Sequence, residues 1–595
     1  MEEIGTSTLK EKKMNEMKSI SISEFFEKNK QMLGFGNASK AFVTSVKEAV
    51  DNSLDACEEY GFLPEITVDL QTRKGETVVT ITDNGPGISE ENIPNVFGKL
   101  LYGSKFHRRK QSRGQQGIGI SAVGMFSLIT TGMPISVKSK KQDLSYCVCM
   151  DIKIDTKTNE AIVSNKVKTH SSIEHGTIVS FVIPTDSVPI QLYKYINYTA
   201  IANPHMQIML CKNGTTLIDI PRTRHVLPKD PIEMKPHPFG ITFSDLMAFF
   251  RTSGKTVLET MVLSLYGINS HTAASILKIA GLSDTAASDI TPDACKKIIS
   301  VIDQSSVPMP TFEKFSDKCS TYISDWGSLM SELGFSSRFS SSLFSVCGMS
   351  SFSRPAATID SIVKKAYQFI KANTVVIPGP NANCISPIEE NTIIAGMKSL
   401  YKADFFTACT RKPSTHNGNP FVVEVGIAWG GEIESFELVR IANKVPLLYG
   451  SSYCSLQTGV ENVVWKPYSP NGEIDAKKGS LPSAKMAIVV HIASVWIPFI
   501  NESKEAVSQE EQITKEVQLA VMQCARNLNS YFLSINKVDH EEGRRRLFMG
   551  YIPEVANALS GILEDVSGDE IKRDLISVMN ELSERRVESI DWSKR

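Results

Sequence analysis

ASKAFVTSVKEAVDNSLDACEEY, residues 38–60, is the stretch on which the reading of this chain turns. At about 3.6 residues per turn, Val43, Val46, Val50, Leu54 and Cys57 gather on one face of a helix, and Glu48, Asp51, Asn52 and Asp55 on the other. Most amphipathic helices present a solvated face of mixed charge. This face holds three carboxylates and an amide with no lysine among them, so like charges stand one turn apart without obvious compensation. Such a face suits a divalent cation that arrives with phosphates. An amide oxygen can ligate Mg²⁺, which keeps water and substrate phosphates as its other ligands, and a carboxylate one turn earlier can polarise a water.

Working outward, residues 66–70 and 78–82 alternate as two short strands around a polar Lys-Gly-Glu turn. The second runs into DNGPG, residues 83–87, where Gly85 and Gly87 allow close backbone approach and Asp83 leaves the strand end with its carboxylate in place. Taken singly, an Asp-Gly turn is commonly only a turn. A glycine-rich, basic stretch follows: GKLLYGSK at 98–105, HRRK at 107–110 and RGQQGIGIS at 113–121. Residues 118–130 are apolar almost all round, which predicts a buried helix. A glycine loop feeding a helix N-terminus offers free backbone N–H groups and a positive dipole end, both suited to phosphate. The dipole alone contributes only ~0.3–2 kcal/mol, so several N–H contacts must act together. The Gly-x₄-Gly-Lys-Ser/Thr pattern of a P-loop is absent.

In this order and at these spacings the segments resemble the Bergerat nucleotide fold of the GHKL superfamily. The resemblance implies ATP and Mg²⁺ as cofactors and assigns roles residue by residue. Glu48 is implied as the general base for the attacking water and Asn52 as the Mg²⁺ ligand. Asp83 is implied to recognise the adenine amino group, with Gly87 in the same glycine box. Ser104 and Lys105, with Gly114, Gln115, Gln116, Gly117, Ile118, Gly119, Ile120 and Ser121, are implied to wrap the phosphates as a lid.

Downstream motifs narrow the branch. KPHPFG at 235–240 reads as a stiff hinge, and residues 241–303 as several helices with Gly-containing turns at Gly254, Gly267 and Gly281. This region resembles the helix–two-turns–helix domain of the topoisomerase VI B-subunit family. CISPIE at 384–389, RIANKVPLLY at 440–449, WKPY at 465–468 and SKEAV at 503–507 resemble that family's transducer, and RRLFMGYIPEV at 545–555 its tail. The lysine of the Ser-Lys-Glu-Ala motif, here Lys504, is implied to reach from the transducer to the γ-phosphate. Without the resemblance it reads as a solvated lysine at the start of a helix over 503–532, with Ser503 as N-cap. Glu389 stands where the family has glycine, which leaves the local turn open, and the serine-rich pieces at 336–342 and 350–353 match nothing in the family.

The expected fold class is therefore α+β and multidomain: a GHKL α/β sandwich, a small all-helical domain, and an α/β transducer ending in a long helix. The expected divisions are 1–230 (strap and ATPase), 231–303 (helix–two-turns–helix), 304–372 (serine-rich linker or insertion), 373–535 (transducer) and 536–595 (partner-binding extension). A length of 595 residues agrees with roughly three or four domains. A net charge of −1 gives no overall argument for nucleic-acid binding, so DNA contact must come from local patches such as residues 105–110 or Arg544, Arg545 and Arg546. Eleven cysteines without metal-ligand spacing point to buried thiols in a reducing compartment. The N-terminus lacks the apolar core of a signal peptide, and residues 486–500, interrupted by His491 and Ser494, are short for a membrane span. A soluble, intracellular protein is expected, chromosome-associated in an archaeal-type cell or nuclear in a eukaryote.

A type II topoisomerase cuts DNA with a nucleophilic tyrosine and a Mg²⁺ site that contains a D-x-D element. No D-x-D occurs in the sequence, and none of the fifteen tyrosines stands in an activating context. The resemblance thus implies the half that dimerises on ATP, captures one duplex and drives a tyrosine-bearing A subunit in an A2B2 heterotetramer. It also implies a strap exchanged between protomers before about residue 21 and partner contacts near residues 551–563. No immunoglobulin-like domain is expected after residue 595. An inactive scaffold of the same family is disfavoured by the intact Glu48, Asn52 and Asp83, a mismatch-repair clamp by the transducer motifs, and a histidine kinase by the lack of a phosphoacceptor segment before Glu48.

Overall fold

The computed structural model describes residues 26, 28–103, 108–114, 117–155, 158–170, 173–304, 337–347, 359–375, 377–379, 381–562 and 567–588, with a few positions between 313 and 330. The expected strap before residue 21 and the serine-rich piece at 350–353 lie outside these residues.

The acidic-faced helix forms as α1 (Ala38–Glu59), opened by Asn37, whose side chain accepts from Lys40 N. The two alternating runs form a hairpin, β1 (Glu65–Arg73) and β2 (Glu76–Asp83), closed by a two-residue turn at Lys74 and Gly75. The glycine stretch leads into α2 (Gly119–Thr131), which stops at left-handed Gly132. The chain continues through β3 (Ile135–Lys140), β4 (Cys147–Ile154), β5 (Ala161–Thr169) and β6 (Gly176–Ile183) to α3 (Ile190–Ala202), β7 (Gln207–Lys212) and β8 (Thr215–Ile220). These strands make one sheet in the order β5-β4-β3-β6-β2-β1-β7-β8, with β1 and β7 the parallel pair. Alternate residues of β2 are buried because one sheet face is covered. Val46, Val50, Val123 and Ile196 of the three helices pack there on Val68, Ile81 and Val137, each worth ~1.5–3 kcal/mol when fully buried.

Four short helices follow the hinge: α4 (Phe243–Thr252), α5 (Val257–Ser264), α6 (Ser270–Ala280) and α7 (Pro292–Gln304). They share a separate apolar core, and capping boxes at Thr242/Asp245 and Thr256/Glu259 set two of their starts. In the serine-rich region, α8 (Ser337–Cys347) and α9 (Ile359–Asn373) enclose a small core of their own around Leu343 and Val363.

The last body begins with α10 (Glu390–Leu400), followed by β9 (Phe405–Thr410), β10 (Ser414–His416), β11 (Asn419–Trp429), β12 (Glu437–Ala442), β13 (Val445–Pro446) and β14 (Met486–Ser494). Central strands β11 and β14 are buried along nearly their whole length because both sheet faces are covered. One face is covered by α11 (Glu511–Ser560), through Val517, Val521, Leu528 and Phe532. The other face packs against α10 together with Tyr198, Ile201 and Ala202 of α3. A helix of the first body thus completes the core of the second. A final helix, α12 (Gly568–Glu588), follows α11. No helix among the described residues is long and apolar enough to cross a membrane.

Two local expectations change. Ser503 is not an N-cap, and no helix begins there: α11 starts at Glu511 and runs 50 residues, through position 535 and on to Ser560. Residues 499–507 instead form a tight hairpin, bridged between Phe499 and Val507. The Ser503 hydroxyl donates to Glu505 Oε1 rather than accepting from a backbone N–H, and Lys504 has φ +53°. That left-handed conformation cannot open a right-handed helix. At the second position, Glu389 adopts φ +77°, so it keeps a glycine-type backbone. The turn is held by Glu424, whose carboxylate accepts from Ile388 N and Glu389 N at 2.7 and 2.8 Å.

Candidate functional site

A cleft of about 810 Å³ opens between α1, the end of β2, the N-terminus of α2 and the 499–507 hairpin. Glu48 and Asn52 line it from α1, Asp83 and Gly87 from the strand end, and Gly114, Gly117, Ile118, Gly119, Ile120 and Ser121 from the glycine stretch. Lys504 enters from the transducer side, brought there by the fold across the whole intervening chain. Ser104, Lys105, Gln115 and Gln116 lie outside the described residues.

Asp83 is held by three donors. Its Oδ1 accepts from Gly85 N at 2.9 Å and Thr177 N at 3.1 Å, and its Oδ2 from Ser53 Oγ at 2.8 Å. Burial pushes the carboxyl above its usual range, against those bonds. Gly87, at φ +71°, lies so close to the 140–141 backbone that a Cβ would fall 2.2 Å from the Lys140 carbonyl oxygen. The first turn of α2 has no side-chain cap, which leaves its N–H groups available to an anion. Ser121 is less available, since its hydroxyl donates to Lys99 O at 2.7 Å.

The acidic face of α1 divides. Glu48 and Asn52 line the cleft, and Asp51 and Asp55 do not. The expectation that the face goes uncompensated is overturned. Lys47 Nζ lies 3.6 Å from Glu48 and 3.9 Å from Asp51, and Arg113 pairs with Asp55 at 2.8 Å. Asp51 is buried and accepts from Tyr195 OH at 3.1 Å. Burial, aided by the Glu48 charge and opposed by Lys47, pushes it up to about 6.

The donor set suits a hard cation brought with phosphate. Among the described residues no group of three His, Cys, Asp or Glu side chains could hold a metal by itself. The exposed Asn52 amide, one turn from the Glu48 carboxylate on the cleft wall, leaves most coordination positions to water and phosphate oxygens, as Mg²⁺ prefers. Lys504 is partly buried, and its Nζ donates 2.5 Å to the backbone carbonyl of Arg113. Burial lowers its pKa, and the Glu48 carboxylate opposes that shift.

Sequence reading missed the support around this cleft. The Arg113 guanidinium is buried on Asp55, Glu58 and Asn203. Burial works against the Glu58 carboxylate, but Arg113 and His205 more than offset it and hold its pKa low. Lys444 is pushed down to about 8 by burial and donates to Ser386 Oγ. In the transducer sheet, Glu424 and His491 form a fully buried pair at 2.8 Å. The sequence signals for these were slight: a lone arginine before a glycine box, a histidine (His491) interrupting an apolar run, and a lysine (Lys444) inside RIANKVPLLY. Of the basic clusters, Arg108 pairs with Glu59, Lys110 with Asp230, and Arg545 bonds Asn580.

Comparison with known proteins finds two matching regions. Residues 40–182 match the family described as "Histidine kinase-, DNA gyrase B-, and HSP90-like ATPase", and residues 380–545 match "Topoisomerase VI B subunit, transducer". Three archaeal proteins named as the B subunit of type 2 DNA topoisomerase 6 are similar over most of the chain. The Archaeoglobus fulgidus protein is 33% identical over 97% of this chain and 85% of its own length. The Methanococcoides burtonii protein is 34% identical over 92% and 77%. The Pyrococcus horikoshii protein is 32% identical over 97% of each.

Proposed function

Because the chain belongs to the family of type 2 DNA topoisomerase 6 B subunits, we propose that it is the ATP-driven half of such an enzyme. In this reading, ATP binding dimerises the chain through its ATPase body and closes a gate on one DNA duplex. That duplex then passes through a double-strand break made by a tyrosine-bearing A subunit, in an A2B2 assembly that relaxes positive and negative supercoils and decatenates. One observation carries the reading: Lys504 of the transducer reaches the cleft that Glu48 and Asn52 line from α1.

The residues divide the work as follows. Asp83 receives the adenine amino group, and its three backbone and hydroxyl donors fix the carboxylate for that contact. The segment from Gly114 to Ser121, with Ser104 and Lys105, folds over the phosphates. Asn52 would hold Mg²⁺ through its amide oxygen, and the ion would supply positive charge to offset that of the phosphates. Glu48 orients and deprotonates the attacking water, a contribution of typically ~10²–10⁴-fold. Lys504 meets the terminal phosphate before hydrolysis and loses it afterwards, so the two nucleotide states favour different placements of the hairpin. The divisions 1–230, 231–303, 304–372, 373–535 and 536–595 serve as ATPase, helical domain, insertion, transducer and partner-binding extension, with α11 spanning the last boundary. Exposed Leu547, Phe548, Tyr551 and Val555 near its end suit the A subunit.

The test is relaxation of supercoiled DNA with ATP, by the purified chain alone and with its cognate A subunit. Only the pair should relax DNA. Relaxation by the chain alone would refute the division of labour, and none by the pair would sink the strand-passage reading.

A further inference from the structure

Three consecutive residues join the glycine stretch to the transducer. Gln111 N donates to Cys384 O at 3.0 Å, and its side-chain oxygen accepts from Ser386 N at 2.7 Å. The Ser112 carbonyl accepts from Asn443 Nδ2 at 3.3 Å, and the Arg113 carbonyl from Lys504 Nζ at 2.5 Å. The Arg113 side chain points the other way. Nη1 donates to Asp55 and Glu58 at 2.8 and 2.9 Å, and Nη2 to Glu58 and Asn203 at 2.6 Å each. His205 Nε2 lies 2.7 Å from the same Glu58 oxygen and steadies that carboxylate. Arg113 is therefore fixed to α1 through its side chain and to the transducer through its backbone, one residue before Gly114 enters the cleft. Arg113 itself does not line the cleft.

We propose that Arg113 is a positioning residue for phosphate binding: its guanidinium anchors the base of the glycine lid on α1, and its carbonyl is the resting acceptor from which Lys504 departs to the terminal phosphate. The forked geometry matters, because a guanidinium reaches two carboxylates and an amide at once and an ammonium does not. This proposal rests on the nucleotide-site reading given above. On that reading the lid and Lys504 would meet at the terminal phosphate, so a lid whose base drifts should lose contacts there first.

The experiment compares the full-length chain with Arg113→Lys and with Glu58→Gln, a change outside the cleft that weakens the anchor. Binding of ADP and of a non-hydrolysable ATP analogue is measured, with thermal melting alongside. Both variants should bind the triphosphate analogue about tenfold more weakly and ADP with little change. Adding Lys504→Ala to either should cost little more, because the two residues act through one contact. A merely structural role would lower the melting temperature and leave the triphosphate-to-diphosphate ratio unchanged, which would overturn the proposal, as would additive losses. Should Arg113→Lys fail to fold, Glu58→Gln carries the same test. Failure of the unsubstituted chain to bind either nucleotide would instead overturn the nucleotide-site reading.

Discussion

Gly119 faces Glu48 so closely that a Cβ on it would fall 2.0 Å from Glu48 Oε2. The first residue of α2 thus sets where the α1 carboxylate can lie. The atom in the way is the end of a flexible side chain, so Gly119→Ala should displace Glu48 and leave the fold intact. A shift of about 1 Å in a reacting group can cost ~10²-fold, and ATP turnover should fall by about that factor at an unchanged melting temperature. Full turnover in the variant would mean that Glu48 need not occupy its present position.

Removing the carboxylate altogether separates binding from turnover. Glu48→Ala should still dimerise with a non-hydrolysable ATP analogue, as seen by light scattering, while hydrolysis falls ~10²–10⁴-fold. Unchanged hydrolysis would remove Glu48 from the role of base.

Lys504→Ala tests the link to the transducer. The hairpin keeps its bridge and its Asn501 and Glu505 bonds without the lysine side chain, so folding should be unaffected. Hydrolysis or its coupling to strand passage should suffer, with ATP-dependent relaxation by the complex down about tenfold or more. Normal relaxation would count against the role assigned to Lys504.

Asp51 predicts a pH dependence of stability. Its carboxyl sits at about 6 in the folded protein against an ordinary value of 3.8, so between those values the folded chain holds the proton more tightly than the unfolded one. Stability contributed by this group is therefore present at low pH and lost as pH rises to about 6, a cost of about 2–3 kcal/mol above that point. Lys47, Glu48, Lys504, Arg113 and Tyr195 are the charged or titratable groups acting on it. Asp51→Asn keeps an acceptor for Tyr195 without the charge. Its urea midpoint should exceed that of the unsubstituted chain at about pH 7.5 and match it near pH 4. An advantage that did not change with pH would contradict the assignment.

Glu389 carries a positive φ of +77° with ψ 147°, a backbone region nearly confined to glycine, on a residue that has a Cβ. Glu389→Gly should raise stability by about 1 kcal/mol, since its side chain is mostly exposed and reaches Arg224 only at 3.6 Å. A lower denaturation midpoint in the glycine variant would show that the contact outweighs the strain.

The parts of the cleft carried by local sequence could be read directly. The period of Val43, Val46, Val50 and Leu54 gave α1, the alternation before Asp83 gave β2, and the apolar run after Gly117 gave α2. Long-range contacts could not be read this way. Arg113 reaches back 58 and 55 residues to Asp55 and Glu58, and nothing near α1 in sequence announces that compensation. Ser503 misled for a similar reason. Ser-Lys-Glu-Ala has the composition of a helix start, but backbone N–H bonds from Lys504 and Glu505 to Asn501 and the Phe499–Val507 bridge hold it as a hairpin. The proposed strand-passage role rests on the motifs downstream of the cleft, where family resemblance carries it.

The hairpin that presents Lys504 ends just before α11, and α11 is a 50-residue rod. At about 1.5 Å per residue it is roughly 75 Å long, so each degree of tilt at its base moves its tip by about 1.3 Å. If Lys504 trades the Arg113 carbonyl for a phosphate as proposed, a change of one hydrogen-bond partner at the hairpin would be magnified by this lever at the far end of α11.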